Sequence, residues 1–157
     1  MNHEDAALLK ALMTEHRVLS LAVVDDGKPV LGMVPFVVEP DLSAVLVHVS
    51  TLAPHGRALA DGVPFAVMIH GSDAGGGNPG EIPRARFAGE AEHVARESGG
   101  YAESRELYLA RFPDSAVTFS LGDFELYRLP LASGRLVAGF ARTVNLKPET
   151  LRRLVEP

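Results

Sequence analysis

Fifteen glycines and eleven prolines in 157 residues cut this sequence into short apolar runs, and that punctuation governs what it can fold into. Both residues interrupt helices and close turns, so a chain divided this finely builds short strands. Residues 17–24 (RVLSLAVV) are apolar and β-branched and run into Asp25-Asp26-Gly27-Lys28. Asp-Gly between apolar runs signals a hairpin, because the turn needs residues that tolerate positive φ. The return strand covers 29–38 (PVLGMVPFVV). Pro35 has no N–H to give a ladder, so it marks an edge, a bulge or a ligand-facing stretch. Further strands are expected at 44–49, at 64–70 and at 84–94, the last with Gly89 as a bulge. Segments 124–131 and 135–141 read as a final antiparallel pair joined through Ala132-Ser133-Gly134.

The helical signals are fewer. Leu8, Leu9, Leu12 and Met13 form one stripe of a 3.6-residue period, with Glu4 and Asp5 in the first turn, where the helix dipole favours anions. Residues 50–61 read as a loop opening into a short helix. Residues 101–112 are helical up to Pro113, and 148–155 form a short helix with proline at its start. Gly71–Pro83 (GSDAGGGNPGEIP) is too rich in glycine and proline to pack, and it reads as a flexible loop. It lacks phosphate-loop spacing, and no lysine follows it. The expectation is a single domain over 1–157, mostly β (α+β), in the form of an antiparallel split β-barrel with flanking helices.

Charge and composition narrow the function. A formal net charge of −5 argues against general nucleic-acid binding, which needs a basic face. No apolar run approaches the roughly 18 residues of a membrane span, and the acidic, amphipathic N-terminus does not read as an export signal, so the expected location is cytoplasmic. The absence of cysteine excludes disulfides, thiolate metal sites and cysteine nucleophiles.

Two segments carry candidate chemistry. In Ser50-Thr51-Leu52-Ala53-Pro54-His55-Gly56-Arg57 two hydroxyls, an imidazole and a guanidinium gather where a strand enters a helix. Such a cluster suits a phosphate cradle, and by pattern alone it more often is an ordinary helix start with a surface arginine. In Gly32-Met33-Val34-Pro35-Phe36 a missing side chain and a proline would let a flat ligand approach the backbone, the alternative being a plain barrel-edge strand. The six histidines (3, 16, 48, 55, 70 and 93) are scattered, with no pair at i, i+4 on one helix, and no metal site is expected.

Taken together, RVLSLAVVDDGKPVLGMVPFVV, LVHVSTLAPHGRAL, PRARFAGEAE, YLARFPDS, LGDFELYRL and LVAGFAR resemble the pyridoxamine-phosphate-oxidase-like FMN-binding split barrels, nearest the haem-utilisation branch. The resemblance implies a homodimer with FMN at the subunit interface and a flavin-dependent redox role on a small substrate. It implies that Met33, Val34, Pro35 and Phe36 line the flavin ring, that Ser50, Thr51, His55 and Arg57 hold its phosphate, and that Arg84 reaches the flavin. Tyr127, Phe140 or Arg142 would contribute from the partner chain. Arg111 and Ser115 would echo part of an oxidase's substrate pocket or simply form a solvated helix end. The chain departs from its relatives at Gly32, Gly56 and Ala58, where they offer polar side chains, and at Val37, where the oxidases place a lysine. No residue is assigned as catalytic, and oxidation of pyridoxamine phosphate is not expected. The alternatives are a non-enzymatic haem- or flavin-binding protein and a deazaflavin-dependent reductase.

Overall fold

The computed structural model describes Met1–Glu156; of the expected 1–157 domain, Pro157 lies outside the described residues. Helix α1 (His3–Glu15) is capped by Asn2, whose side chain accepts the Asp5 N–H at 2.8 Å, and it turns Leu9, Leu12 and Met13 into the core. Strands β1 (Val18–Asp25) and β2 (Lys28–Val38) form the expected hairpin. Its two turn residues, Asp26 and Gly27, both have positive φ (49° and 73°), the requirement that the Asp-Gly pair signalled.

Strand β3 (Ala44–Ser50) leads through helix α2 (Pro54–Ala58) to β4 (Pro64–His70). A loop containing a 3-10 turn at Pro79–Glu81 leads to β5 (Arg84–Glu90) and β6 (Glu92–His93). Helix α3 (Tyr101–Arg111), a 3-10 turn at Pro113–Ser115 and α4 (Ala116–Phe119) follow. Strands β7 (Phe124–Pro130), β8 (Ser133–Gly139) and β9 (Arg142–Leu146) and helix α5 (Pro148–Arg152) complete the described chain. Among the described residues, no helix is long and apolar enough to cross a membrane.

The nine strands form one curled antiparallel sheet in the order β6-β7-β3-β2-β1-β4-β5-β8-β9. Strand β2 belongs to both halves: Lys28–Pro35 pair with β1, and Phe36–Val38 pair with β3. Pro35 sits at that handover, an edge position on its β3 side, as its missing N–H requires.

Three expectations need correction. Strands β7 and β8 do not pair with each other: β7 lies between β3 and β6, and β8 lies between β5 and β9. The linker at 131–132 is a crossover between the two halves rather than a hairpin. The expected 84–94 strand breaks at Ala91, so that β5 pairs with β4 while β6 pairs with β7. Gly89 is not a bulge, since it pairs in register with Phe65. It is glycine because a Cβ there would overlap the Pro130 carbonyl, where β5 meets the crossover and the barrel closes.

One face of the curled sheet encloses the main core, to which α1 contributes Leu9, Leu12 and Met13. On the outside, α3 and α4 cover β3 and β7 through Tyr108, Phe112 and Phe119, which pack with Val37, Leu46 and Leu126. Residues 44–49 of β3 are therefore buried on both faces.

His48 belongs to this outer layer. Its ring stacks on Phe119 at 3.8 Å between centroids and 8° between planes, and Thr118 Oγ1 lies 3.2 Å from its Nδ1. Burial, with the nearby Arg96 charge, pushes its pKa down to about 4. The unfolded chain takes up that proton near pH ~6.5, so stability is lost progressively as pH falls from about 6.5 toward 4. His48→Phe keeps the aromatic stack and removes the proton. Urea unfolding between those pH values should show the wild type losing on the order of 2 kcal/mol more than this variant. Parallel losses would show that His48 is not the group responsible.

Candidate functional site

The segment expected to cradle phosphate is engaged within the chain itself. Ser50 Oγ donates to the Asp123 carboxylate at 2.9 Å. The Thr51 N–H and hydroxyl both donate to the Asp123 carbonyl, at 2.7 and 3.1 Å. Arg57 donates to Asp25 at 2.8 Å. The His55 ring lies against Gly32, and burial lowers its pKa, keeping the imidazole neutral. A phosphate would meet one carboxylate beside the hydroxyls and another on the guanidinium. In this arrangement these residues do not fit one.

The two glycines of this region have steric causes. A Cβ at Gly32 would fall inside the His55 ring, and one at Gly56 would overlap the Ser50 carbonyl. Neither position has space for a side chain without its neighbour moving. The four expected flavin-lining residues also divide by strand alternation. Met33 and Pro35 are exposed, whereas Val34 and Phe36 point into the core at 3% and 0% exposure. The side chains of Val34 and Phe36 therefore cannot line a ligand.

Other expected contributors are also engaged. Tyr127 is buried and donates to the Leu59 carbonyl at 3.0 Å, so it is closed to a partner chain. Arg142 is paired with Asp5 and Glu4. Arg111 donates to the Thr14 and His16 carbonyls at 3.0 and 2.7 Å. It closes the end of α1, and is neither a pocket residue nor a solvated helix end. Phe140, between β8 and β9, is exposed.

What stands open is the outer face of β2-β1-β4-β5-β8, which no helix among the described residues covers. Cross-strand neighbours there form continuous rungs. One runs Met33, Ser20, Met68, Arg86, Arg135. The next runs Leu31, Ala22, Ala66, Ala88, Ser133. A third places His70, Arg84 and Val137 side by side. The β1–β2 end is apolar, with Leu31 and Met33 each 73% exposed and Val18 and Val24 beside them. The β5–β8 end is cationic.

Arg84 donates to the Gly80 and Ile82 carbonyls, and Arg135 donates to the Thr143 hydroxyl. No ion pair among the described residues involves Arg84, Arg86 or Arg135. Three unneutralised guanidiniums on one patch of an acidic chain suit a bidentate anionic ligand. Beside them lies a cleft of about 240 Å³ lined by His16, Val18, Ser20, Met33, Met68 and His70, among others. Of this face, Met33, Pro35 and Arg84 are legible in the sequence as candidates and His70 only as one of six scattered histidines, whereas Met68, Arg86 and Arg135 are not. The period-2 alternation in PFAVMIH and RARFAGE puts these on outward positions, but only the strand pairing shows that they are neighbours.

No protein-family model matches this sequence, and no curated protein matches it. Solved structures do. A haem-binding protein from Mycobacterium smegmatis is 25% identical with a TM-score of 0.78, over 98% of this chain and 61% of that one. HutZ, the haem storage protein from Vibrio cholerae, is 26% identical with a TM-score of 0.69, over 78% of this chain and 87% of that one. An FAD- and haem-binding protein from M. smegmatis is 22% identical with a TM-score of 0.62, over 92% and 82%. This chain thus spans about three-fifths of the first of these proteins. It has the split-barrel fold of the pyridoxamine-phosphate-oxidase-like proteins, a group of neighbours that includes haem binders.

The steric reading of the phosphate loop is checked by Gly56→Ala. Thermal unfolding should show a loss of about 1–3 kcal/mol from overpacking. Arg57→Ala, which breaks only an exposed ion pair, should cost less than about 1 kcal/mol. Equal and small effects would show that the Gly56 contact relaxes freely.

Proposed function

We propose that this protein is a haem-binding split barrel that works as a homodimer, with haem held on the bare outer face of the sheet. One observation carries the reading: a single face sets an exposed apolar surface directly beside three arginines free of ion pairs. A ligand with a flat apolar body and a carboxylate edge matches both halves. Met33, Met68 and Val18 would cover the apolar body, and Arg84, Arg86 and Arg135 would take the carboxylates. Haem, when bound, supplies an iron open to axial ligands. The role that follows is haem binding, storage or transfer, and the likeness of this fold to haem-binding neighbours supports it.

The apolar end is also the surface best suited to a second copy. Val18, Val24, Leu31 and Met33 are contiguous and exposed, and patches of this kind mark association sites. A second copy docked there would enclose the cleft.

The FMN-dependent oxidoreductase reading is second. Its support is that Met33, Pro35 and Arg84, all expected near a flavin, do share the open face. Its phosphate would then rest on the arginines, because the 50–57 segment is engaged.

The absorption spectrum of the purified protein, titrated separately with haemin and with FMN, separates the readings. A saturable Soret band with no flavin uptake is expected, and the reverse would overturn the haem reading in favour of the flavin. Changing Arg84, Arg86 and Arg135 together to Ser should weaken haem binding by at least about tenfold, since each charge-assisted bond is worth roughly 1.5–3 kcal/mol. Light scattering should give a dimer for the wild type and a monomer for Leu31→Glu/Met33→Glu. A monomeric wild type at all concentrations would remove the dimer.

A further inference from the structure

We infer that His70 is the residue that binds the haem iron, through Nε2, with the Gly71 carbonyl fixing the imidazole. This rests on the haem reading and goes beyond it by naming the coordinating atom. His70 makes one side-chain hydrogen bond. Its Nδ1 lies 2.7 Å from the Gly71 carbonyl oxygen, which can only accept. Nδ1 therefore carries the proton, and in the neutral ring the lone pair sits on Nε2. Metal-binding histidines usually show this arrangement, in which a carbonyl or carboxylate holds one nitrogen so that the other is oriented and more basic.

Position supports the same residue. His70 closes β4 on the outward face, two residues after Met68, and pairs with Arg84 on β5. It also lines the cleft with Val18, Ser20 and Met33. The imidazole therefore stands between the apolar and cationic parts of the face. A ligand lying across both parts brings its centre near this residue.

The remaining histidines do not combine these features. His48 is buried in its aromatic stack, with Nδ1 at Thr118. His55 is packed on Gly32, and His93 Nε2 is paired with Glu125 at 2.9 Å. His3 opens α1 and is not part of the cleft. His16 lines the cleft but follows the end of α1, and no side-chain hydrogen bond orients its ring.

The test is haemin titration of the full chain, with spectra of the ferric form in the wild type, His70→Ala and His16→Ala. Circular dichroism checks that each variant is folded. The wild type should give an imidazole-ligated spectrum, and loss of that spectrum in His16→Ala with retention in His70→Ala would overturn the assignment in favour of His16. His70→Ala should lose that spectrum and bind at least about tenfold more weakly, and free imidazole should restore it. An unchanged spectrum in His70→Ala overturns the assignment while leaving the haem reading intact. A wild type that takes up no haemin overturns both. If His70→Ala does not fold, His70→Gln is measured in its place, with retention or loss of the imidazole spectrum read in the same way.

Discussion

The split of strand β2 is the constraint on which the rest of the molecule depends. Up to Pro35 it pairs with β1, and from Phe36 onward it pairs with β3. One strand thus carries the sheet from a half covered by helices to a half that is bare. Strand alternation does the remainder of the work. Val34 and Phe36 turn into the core while Met33 and Pro35 turn out, but Val37, also outward, lies beyond the handover and is covered by Phe112 and Tyr108. The same side of one strand is therefore exposed before Pro35 and buried after it.

Much of the fold was legible because its signals are local. The Asp26-Gly27 turn, the alternation in β1, β4 and β5, and the apolar stripe of α1 each follow from residues within a few positions of one another. What local pattern could not supply was partner choice. Two strands separated by a short linker read as a hairpin, yet β7 and β8 diverge across the barrel. The discriminating contact is Gly89 against the Pro130 carbonyl, between positions 41 residues apart in sequence, and no pattern in either segment announces it. The candidate site divides in the same way. Ser50, Thr51, His55 and Arg57 were found by their clustering, but their partners Asp123, Gly32 and Asp25 come from other strands and loops and decide what those side chains can do.

Electrostatics gives the open face its direction. The chain is acidic overall, and three of its nine arginines outside this face are ion-paired: Arg57 with Asp25, Arg128 with Glu39 and Glu92, and Arg142 with Asp5. Bidentate pairing with Glu39, the main cause, holds the Arg128 guanidinium firmly protonated, its pKa raised above the ordinary arginine value. Arg84, Arg86 and Arg135 make no ion pair among the described residues, and what distinguishes them is that adjoining strands gather them on one face. Such a patch carries an electrostatic cost, and it is set beside an apolar surface that is likewise left uncovered. Two uncovered surfaces of different character on adjoining strands are what the proposed amphiphilic ligand would span.

The glycine-rich loop is the last piece of this arrangement. Its ends are clamped, since the Gly71 N–H donates to the Pro83 carbonyl at 2.8 Å and His70 pairs with Arg84 immediately outside. The two residues that the haem reading uses most thus flank one loop, and their backbones are held by the sheet. Arg84 also donates back to the carbonyls of Gly80 and Ile82. An anion that drew the guanidinium away from those carbonyls would loosen the loop without disturbing the clamp.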